Sequence, residues 1–168
     1  AQHSQALHSW FAHIPGLRVV MPATATDARD LLIAATLSND PVLYIDDRWL
    51  YDWDDEATPI VELDLARQGP LVRRQGSDLT IAAASFSVRL AMQAAEELAK
   101  QGISAEVVDV RVLNPIDPAP IVKSVRKTGR LLAVDGGWRT CGFAGELLAL
   151  ASESLPTSTW KSPPRRVT

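Results

Sequence analysis

Apolar and polar residues follow one another along this chain in blocks that predict strands and helices in alternation. The runs 42–45 and 79–84 are short and almost continuously apolar, which is typical of strands buried on both faces of a parallel sheet. Between such runs, apolar residues recur at spacings of three and four, as on the inner face of a helix. The segment 17–46 therefore predicts a strand–helix–strand unit with a right-handed crossover.

The same alternation continues to the end of the chain. Strands are predicted over 17–21, 42–45, 79–84, 105–110, 130–135 and 165–167, and helices over 4–12, 24–38, 87–100, 118–127 and 143–154. Helices that alternate with strands indicate an α/β fold with a mainly parallel sheet.

The segment 47–70 breaks this pattern. Its first part is rich in Asp, Trp and Tyr and has no clear period, and its second part is interrupted by Pro59 and Pro70. We interpret it as a connection between two units that packs on the surface through its aromatic side chains. The acidic residues 52–56 lack the ordered spacing of a calcium-binding loop, which favours a solvated loop over a cation site.

Composition and charge narrow the function classes. Of the 168 residues, 46% are hydrophobic and 22% are charged, as in ordinary globular proteins. The net charge of −3 argues against a nucleic-acid-binding role and against a polybasic membrane contact. The single cysteine, Cys141, excludes an intramolecular disulfide and fits a reducing compartment, so we expect the cytoplasm. Because the chain opens on Ala1 rather than Met, we expect it to be part of a longer protein.

Few residues carry recognisable chemistry by spacing alone. His3 precedes a predicted helix, where an imidazole can move protons near pH 7, but one histidine defines no acid–base pair and a capping or surface role is favoured. His3, His8 and His13 are five residues apart, which rotates successive side chains by about 140° on a helix and argues against a shared metal site. Cys141 has no evident base beside it and is expected to be buried and inert.

The loop 136–142 carries glycines between a predicted strand and a predicted helix. It lacks the Gly-Lys-Ser/Thr ending of a phosphate-binding P-loop, so its glycines favour tight packing. Trp138 and Arg139 at its tip are large enough to anchor a subunit interface; alternatively, they only cover the end of the sheet.

Several motifs together resemble one known family. They are Gln-His-Ser-Gln at 2–5, Pro-Gly-Leu-Arg-Val-Val-Met-Pro at 15–22, Asn-Asp-Pro-Val at 39–42, Arg-Val-Leu-Asn-Pro-Ile-Asp at 111–117 and Gly-Trp-Arg-Thr-Cys-Gly at 137–142. With them the chain resembles the transketolase-like family, in particular β subunits of the thiamine-diphosphate-dependent component of 2-oxo acid dehydrogenase complexes. The resemblance implies a three-layer α/β/α fold, with residues 1–65 as the end of a pyrimidine-binding domain and 66–168 as a transketolase C-terminal domain.

The resemblance also implies roles for individual residues. His3 matches the family's active-site histidine, a proton donor or orienting group, and this reverses the preference stated above. The end of the second helix matches a potassium-binding segment, in which Ser38 stands where some members carry a carboxylate. The matching positions are Ala35, Thr36, Ser38 and Asp40. The C-terminal domain in the family supports subunit assembly and docking of the acyltransferase core.

Other parts of the family's active site are not found in these residues. The glutamate and stacking aromatic of the thiamine site belong upstream, and the Gly-Asp-Gly motif for diphosphate and magnesium belongs to the α subunit. We therefore expect thiamine diphosphate, Mg²⁺ and potassium in the parent protein, whereas this chain alone neither binds the cofactor tightly nor turns over.

The resemblance implies several partners. They are an α subunit, a second β subunit in a heterotetramer and a lipoyl acyltransferase core, and the chain by itself is expected to form a homodimer. Two alternatives stay open, the C-terminal section of a split transketolase that transfers ketol units and a non-catalytic assembly module. The segment 48–53 is less typical of pyruvate dehydrogenase β chains and leaves room for the first of these.

Overall fold

The structure of this chain, a computed structural model, describes residues 4–56 and 58–168. Within those ranges the helices are α1 (His8–Ala12), α2 (Ala25–Leu37), α3 (Phe86–Lys100), α4 (Ala119–Thr128) and α5 (Phe143–Ser154). The strands are β1 (Arg18–Val20), β2 (Val42–Tyr44), β3 (Leu71–Arg74), β4 (Leu79–Ala83), β5 (Ala105–Asp109), β6 (Val112–Asn114), β7 (Leu131–Val134) and β8 (Arg165–Val167). Short 3₁₀ turns occur at Arg48–Leu50, Leu65–Arg67 and Thr157–Thr159.

The strands form two sheets. The larger sheet has the order β3-β5-β4-β7-β8, in which β3 is antiparallel to β5 and the other neighbours are parallel. The smaller sheet has the order β2-β1-β6, with β2 parallel and β6 antiparallel to β1. The predicted α/β class and the mainly parallel sheet are confirmed.

Helices cover both faces of the larger sheet. Ile81 of β4 packs in one apolar cluster with Val88 of α3. The next strand residue, Ala82, belongs to a second cluster with Ile121 of α4 and Leu147 of α5. Because successive strand residues point to opposite faces, α3 covers one face and α4 and α5 cover the other. This is the three-layer arrangement that the family resemblance implies.

The two predicted units share a sheet. After β5 the chain turns at Arg111, which has a positive φ of 52°, and enters β6. β6 then pairs with β1, and the Met21 amide donates to the Arg111 carbonyl oxygen at 2.7 Å. The second unit therefore supplies the third strand of the first unit's sheet. The domain boundary between residues 65 and 66 stays a prediction.

Three elements differ from the sequence prediction. The sequence does not predict β3, because Arg73 and Arg74 make up half of its four residues, or β6, because it is only three residues long and ends before a proline. The first helix begins at His8 rather than at residue 4. Within the ranges given above, we find no helix with the length and apolarity needed to cross a bilayer.

Candidate functional site

The predicted catalytic residue, His3, lies outside the described residues, but the chain beyond it leads into α1. The first residue of that helix, His8, is buried. Its Nε2 lies 2.8 Å from Oδ1 of Asp135, and both side chains are less than a tenth exposed. A buried hydrogen bond therefore joins the start of α1 to the residue that comes directly after β7.

Asp135 organises the loop that begins with it. Its Oδ1 also accepts from the Gly137 amide at 3.0 Å, and its Oδ2 accepts from the Ala144 amide at 3.1 Å in the first turn of α5. Burial by itself raises the pKa of Asp135, but the hydrogen bond from His8 and the two amides outweigh burial, and the pKa is lowered. The carboxylate is thus held in its charged form, which also suits the positive amino end of α5.

The glycines of this loop permit close packing. A Cβ on Gly137 would lie 3.1 Å from Oδ2 of Asp135 and 3.2 Å from Cε1 of His8. A Cβ on Gly142 would lie 1.9 Å from the carbonyl oxygen of Trp138. A Cβ does not fit at Gly142, and at Gly137 it would be tight enough to press on Asp135 and His8, so the packing interpretation accounts for both glycines without a bound phosphate.

The tip of the loop faces solvent. Trp138 is 80% exposed, and Arg139 and Cys141 are exposed as well. The expectation that Cys141 is buried is therefore wrong, because a positive φ of 56° there turns the chain just before α5 and leaves the thiol outside. An indole so exposed does not cover the end of the sheet, which favours the interface role of Trp138 and Arg139; that role stays a prediction.

A groove of about 720 Å³ lies beside this tip, between α1 and the amino end of α5. Trp10 and Phe143 give it apolar walls, and Glu146 and Arg166 contribute charges of both signs. Cys141 lines the groove and belongs to the loop, so the groove and the loop tip form one continuous surface. We refer to the groove and the tip together as the α1–α5 surface.

The predicted potassium segment spans the last turn of α2 and the turn after it. Its polar side chains make contacts within the protein: Thr36 Oγ1 donates to the Leu32 carbonyl oxygen at 2.9 Å, and Ser38 Oγ accepts from the Asp40 amide at 3.1 Å. Asp40 Oδ2 accepts from Arg18 Nη2 at 3.0 Å. Ala35, the fourth predicted position, packs against the apolar core of the smaller sheet. Potassium binding at these four residues stays a prediction.

A largely buried cluster of four charges joins the two units, and the sequence does not predict it. Its members are Asp27 of α2, Arg73 of β3, Asp109 of β5 and Arg111. Arg111 Nη1 donates to Asp27 Oδ1 at 2.9 Å, Arg73 Nη2 donates to Asp109 Oδ2 at 2.8 Å, and Arg73 also contacts Asp27. The signal in the sequence is a single Asp within the apolar run 107–110, where a charge is costly unless it is paired.

Burial dominates the electrostatics of this cluster. Asp109 has no exposed surface, and burial raises its pKa to about 6 even though Arg73 and Arg111 act in the opposite direction. Burial likewise lowers the pKa of Arg111. Joining the two units in this way costs free energy of desolvation, which the ion pairs offset only when their partners are well aligned.

The acidic and aromatic segment fastens the amino ends of α2 and α3. Trp49 stacks on Phe86, with ring centroids 6.0 Å apart. Arg89 lies 5.1 Å above the Trp53 ring and pairs with both carboxylate oxygens of Asp55, at 2.5 and 2.6 Å. Asp55 also accepts from the first amide of α2 at 2.7 Å. These ring contacts agree with the expectation that the segment packs on the surface through its aromatic side chains, but Asp55 is paired with Arg89 and is not simply solvated. That the segment connects two domains stays a prediction.

Within residues 4–56 and 58–168, no three His, Cys, Asp or Glu side chains come together in a way that could hold a metal ion. A diphosphate-bound Mg²⁺ needs such oxygen ligands. Where thiamine diphosphate and Mg²⁺ would bind stays a prediction.

Comparison with known proteins identifies two family models along the chain. The transketolase C-terminal domain matches residues 69–168, and the transketolase pyrimidine-binding domain matches residues 1–52. A solved structure named "Split gene transketolase, inactive beta4 tetramer" is similar with a TM-score of 0.74 and 28% identity, over 95% of this chain and 50% of that one.

Curated relatives add sequence similarity at higher identity. The chain is 41% identical to the β subunit of the mitochondrial pyruvate dehydrogenase E1 component of Dictyostelium discoideum, over 91% of this chain and 44% of that protein. The β-1 subunit of Arabidopsis thaliana is 43% identical over 91% and 43%. The acetoin:2,6-dichlorophenolindophenol oxidoreductase β subunit of Cupriavidus necator is 40% identical over 91% and 45%. The chain spans less than half the length of these relatives, and it belongs to the transketolase family, whose C-terminal domain makes up residues 69–168.

Proposed function

We propose that the chain is the C-terminal part of the β subunit of a thiamine-diphosphate-dependent enzyme that oxidatively decarboxylates a 2-oxo acid and transfers the acyl group to lipoyl. The identity of 41–43% to two pyruvate dehydrogenase E1 β subunits, over 91% of this chain, carries the proposal. Both family models lie in tandem on the chain, which supports the same architecture for the parent protein.

Within that parent, this part mainly serves subunit assembly. The α1–α5 surface supports this role, because Trp10 and Trp138 expose 67% and 80% of their surface on it. Exposed aromatic side chains beside a groove are typical of protein contacts rather than of an isolated surface. The partners we propose are an α subunit, a second β subunit and a lipoyl acyltransferase core, in the cytoplasm.

By itself, the chain would form a homodimer and would not turn over. The similar solved structure is named as a β tetramer, which supports self-association of such chains, and its name also calls that tetramer inactive. Thiamine diphosphate and Mg²⁺ would bind the parent assembly elsewhere, and potassium would bind near Ala35 and Asp40. His3 would act on the substrate as a proton donor or orienting group.

A split transketolase is the second candidate, and the similarity to the solved split-gene transketolase favours it. The two candidates differ in chemistry. The first passes an acyl group to lipoyl, whereas the second moves a ketol unit between sugar phosphates and needs no lipoyl partner.

The parent β subunit, purified with its α subunit, separates the candidates. We expect thiamine-dependent turnover of pyruvate with a dye as electron acceptor and acyl transfer to a lipoyl domain. The variant His3→Gln should lower turnover at least about 100-fold, which is the lower end of a general acid–base contribution, while His13→Gln should not. Ketol transfer between sugar phosphates without lipoyl-dependent turnover would favour the split transketolase, and the absence of any thiamine-dependent turnover would contradict both.

A further inference from the structure

We infer that His8 is a positioning residue, which fixes the segment that leads from His3 into α1 by holding the start of that helix against Asp135. The inference rests on the proposed function, because that function makes His3 an active-site residue whose position matters. It concerns the geometry between His8 and Asp135 and does not depend on which 2-oxo acid the parent uses.

Helix α1 depends on tertiary contacts for its place. It has five residues, no side-chain cap at its amino end and no acidic residue in its first turn. So short a helix is not stable alone in water, because fixing the backbone of its first turn costs more free energy than the hydrogen bonds of that turn contribute. His8 is its first residue and therefore lies nearest to the chain that precedes it. Contacts of His8 therefore help to set where that preceding chain enters the fold, together with the apolar contacts of Phe11 and Ala12.

Asp135 is a rigid anchor for this contact. It comes directly after β7, which is paired on both sides, by β4 and by β8. Amides from Gly137 and Ala144 hold its two carboxylate oxygens, at 3.0 and 3.1 Å. Once these bonds fix the carboxylate, the 2.8 Å contact with His8 Nε2 leaves little freedom for the imidazole. Phe143 adds an edge-on ring contact to His8, with centroids 6.2 Å apart.

The contact is too buried to be incidental. The two side chains are 7% and 6% exposed, and buried polar groups without partners are costly. The loop also leaves room for it, because a side chain at Gly137 would meet both Asp135 and His8 within 3.3 Å. The burial of both side chains and the geometry of the loop therefore both favour the hydrogen bond between His8 Nε2 and Asp135 Oδ1.

Two substitutions at His8 separate positioning from bulk stability. His8→Gln sets an amide nitrogen about where Nε2 stands and can still donate to Asp135. His8→Asn sets its amide about where Nδ1 stands and cannot reach the carboxylate. His13→Asn, at the exposed carboxyl end of the same helix, is the matched control. All three variants are made in the 168-residue chain.

The measurement uses NMR on the folded chain. The chain has three histidines, so the ring Cε1–H region holds three signals and the single variants assign them. We expect His8→Asn to shift the His3 signal and to lower the amide order parameters of residues 4–12 below about 0.6, the flexible range. Exchange of the Gly137 and Ala144 amides should become at least tenfold faster, while β5 amides are unchanged. His8→Gln and His13→Asn should resemble the parent chain.

Two results would overturn the inference. In the first, His8→Asn leaves the His3 signal and the order parameters of residues 4–12 unchanged. In the second, His8→Gln and His8→Asn behave alike, which would mean that the side chain only fills space. A loss of global stability alone does not change order parameters of the folded state. None of these readouts requires catalysis, so failure of the proposed function would be seen separately, as the absence of thiamine-dependent turnover.

Discussion

Ionisation of Asp109 should lower the stability of this chain as the pH rises. The side chain is fully buried, and its pKa in the folded chain is raised from 3.8 to about 6. The folded chain therefore holds this proton more tightly than the unfolded chain. The stabilising contribution of protonated Asp109 is fully present below pH 3.8 and is lost as the pH rises through about 6. At 1.36 kcal/mol per pKa unit, the loss amounts to about 3 kcal/mol.

The variant Asp109→Asn isolates this effect, because Asn resembles the protonated acid and cannot ionise. We expect the free energy of unfolding of Asp109→Asn to rise by about 2.4 kcal/mol relative to the parent chain between pH 4 and pH 7.5, because about 0.5 kcal/mol of the loss has already occurred at pH 4. Acidic groups outside this charge cluster, including Asp135 with its lowered pKa, act equally in both proteins and cancel in the difference.

Urea denaturation of the two proteins at six pH values between 4 and 7.5 provides the data. The denaturant slope should be the same for both proteins, which shows that the unfolded states expose similar surface. A difference that stays constant with pH would refute the reasoning. A difference of the opposite sign would mean that Arg73 and Arg111 outweigh burial and hold the carboxylate charged.

Four further substitutions test other contacts of the structure. Asp135→Ala should lower the free energy of unfolding in urea by about 3–5 kcal/mol, because it leaves His8 and two amides without their acceptor. Since the pKa of Asp135 is lowered in the folded chain, this loss should become smaller as the pH falls below 3.8. Gly137→Ala should cost about 1–3 kcal/mol by the same assay, through overpacking. Arg89→Ala should make trypsin or chymotrypsin cut within residues 46–64 at least tenfold faster, since that segment loses its ring contact at Trp53 and its ion pair at Asp55. Trp138→Ser should weaken self-association in sedimentation velocity and leave the unfolding midpoint unchanged, and a dimer as tight as the parent's would contradict the interface role.

The sequence predicts most of the elements because their signals are local. The apolar run 79–84 and the three- and four-residue spacing in 87–100 each reflect contacts with one neighbouring layer. β4 and α3 lie within two residues of these predictions. Gly129 ends α4 with a φ of 71°, as the glycine after the last helical residue predicts. Local pattern and final structure agree for β4, α3 and the end of α4, each of which packs on the larger sheet.

The sequence does not predict contacts between residues that lie far apart along the chain. His8 and Asp135 are separated by 127 positions and Asp27 and Arg111 by 84, and neither pair carries a local signature. The wrong prediction for Cys141 has a related cause, because its exposure depends on a backbone turn with φ of 56° that spacing does not reveal. The family resemblance implies roles at His3 and Asp40, but it does not identify the contacts that hold those segments in place.

The two units meet through paired charges as well as apolar surface, and this choice has a physical consequence. Apolar contacts tolerate small shifts, because the free energy they contribute scales with area and not with direction. The His8–Asp135 hydrogen bond and the Arg111–Asp27 pair have a cost that is recovered only at one geometry. They fix α1 and α2 of the first unit against β5, β7 and α5 of the second. The proposed active-site histidine, His3, lies only a few residues before α1. A junction with one fixed geometry would therefore hold that part of the chain in place, at some loss of stability.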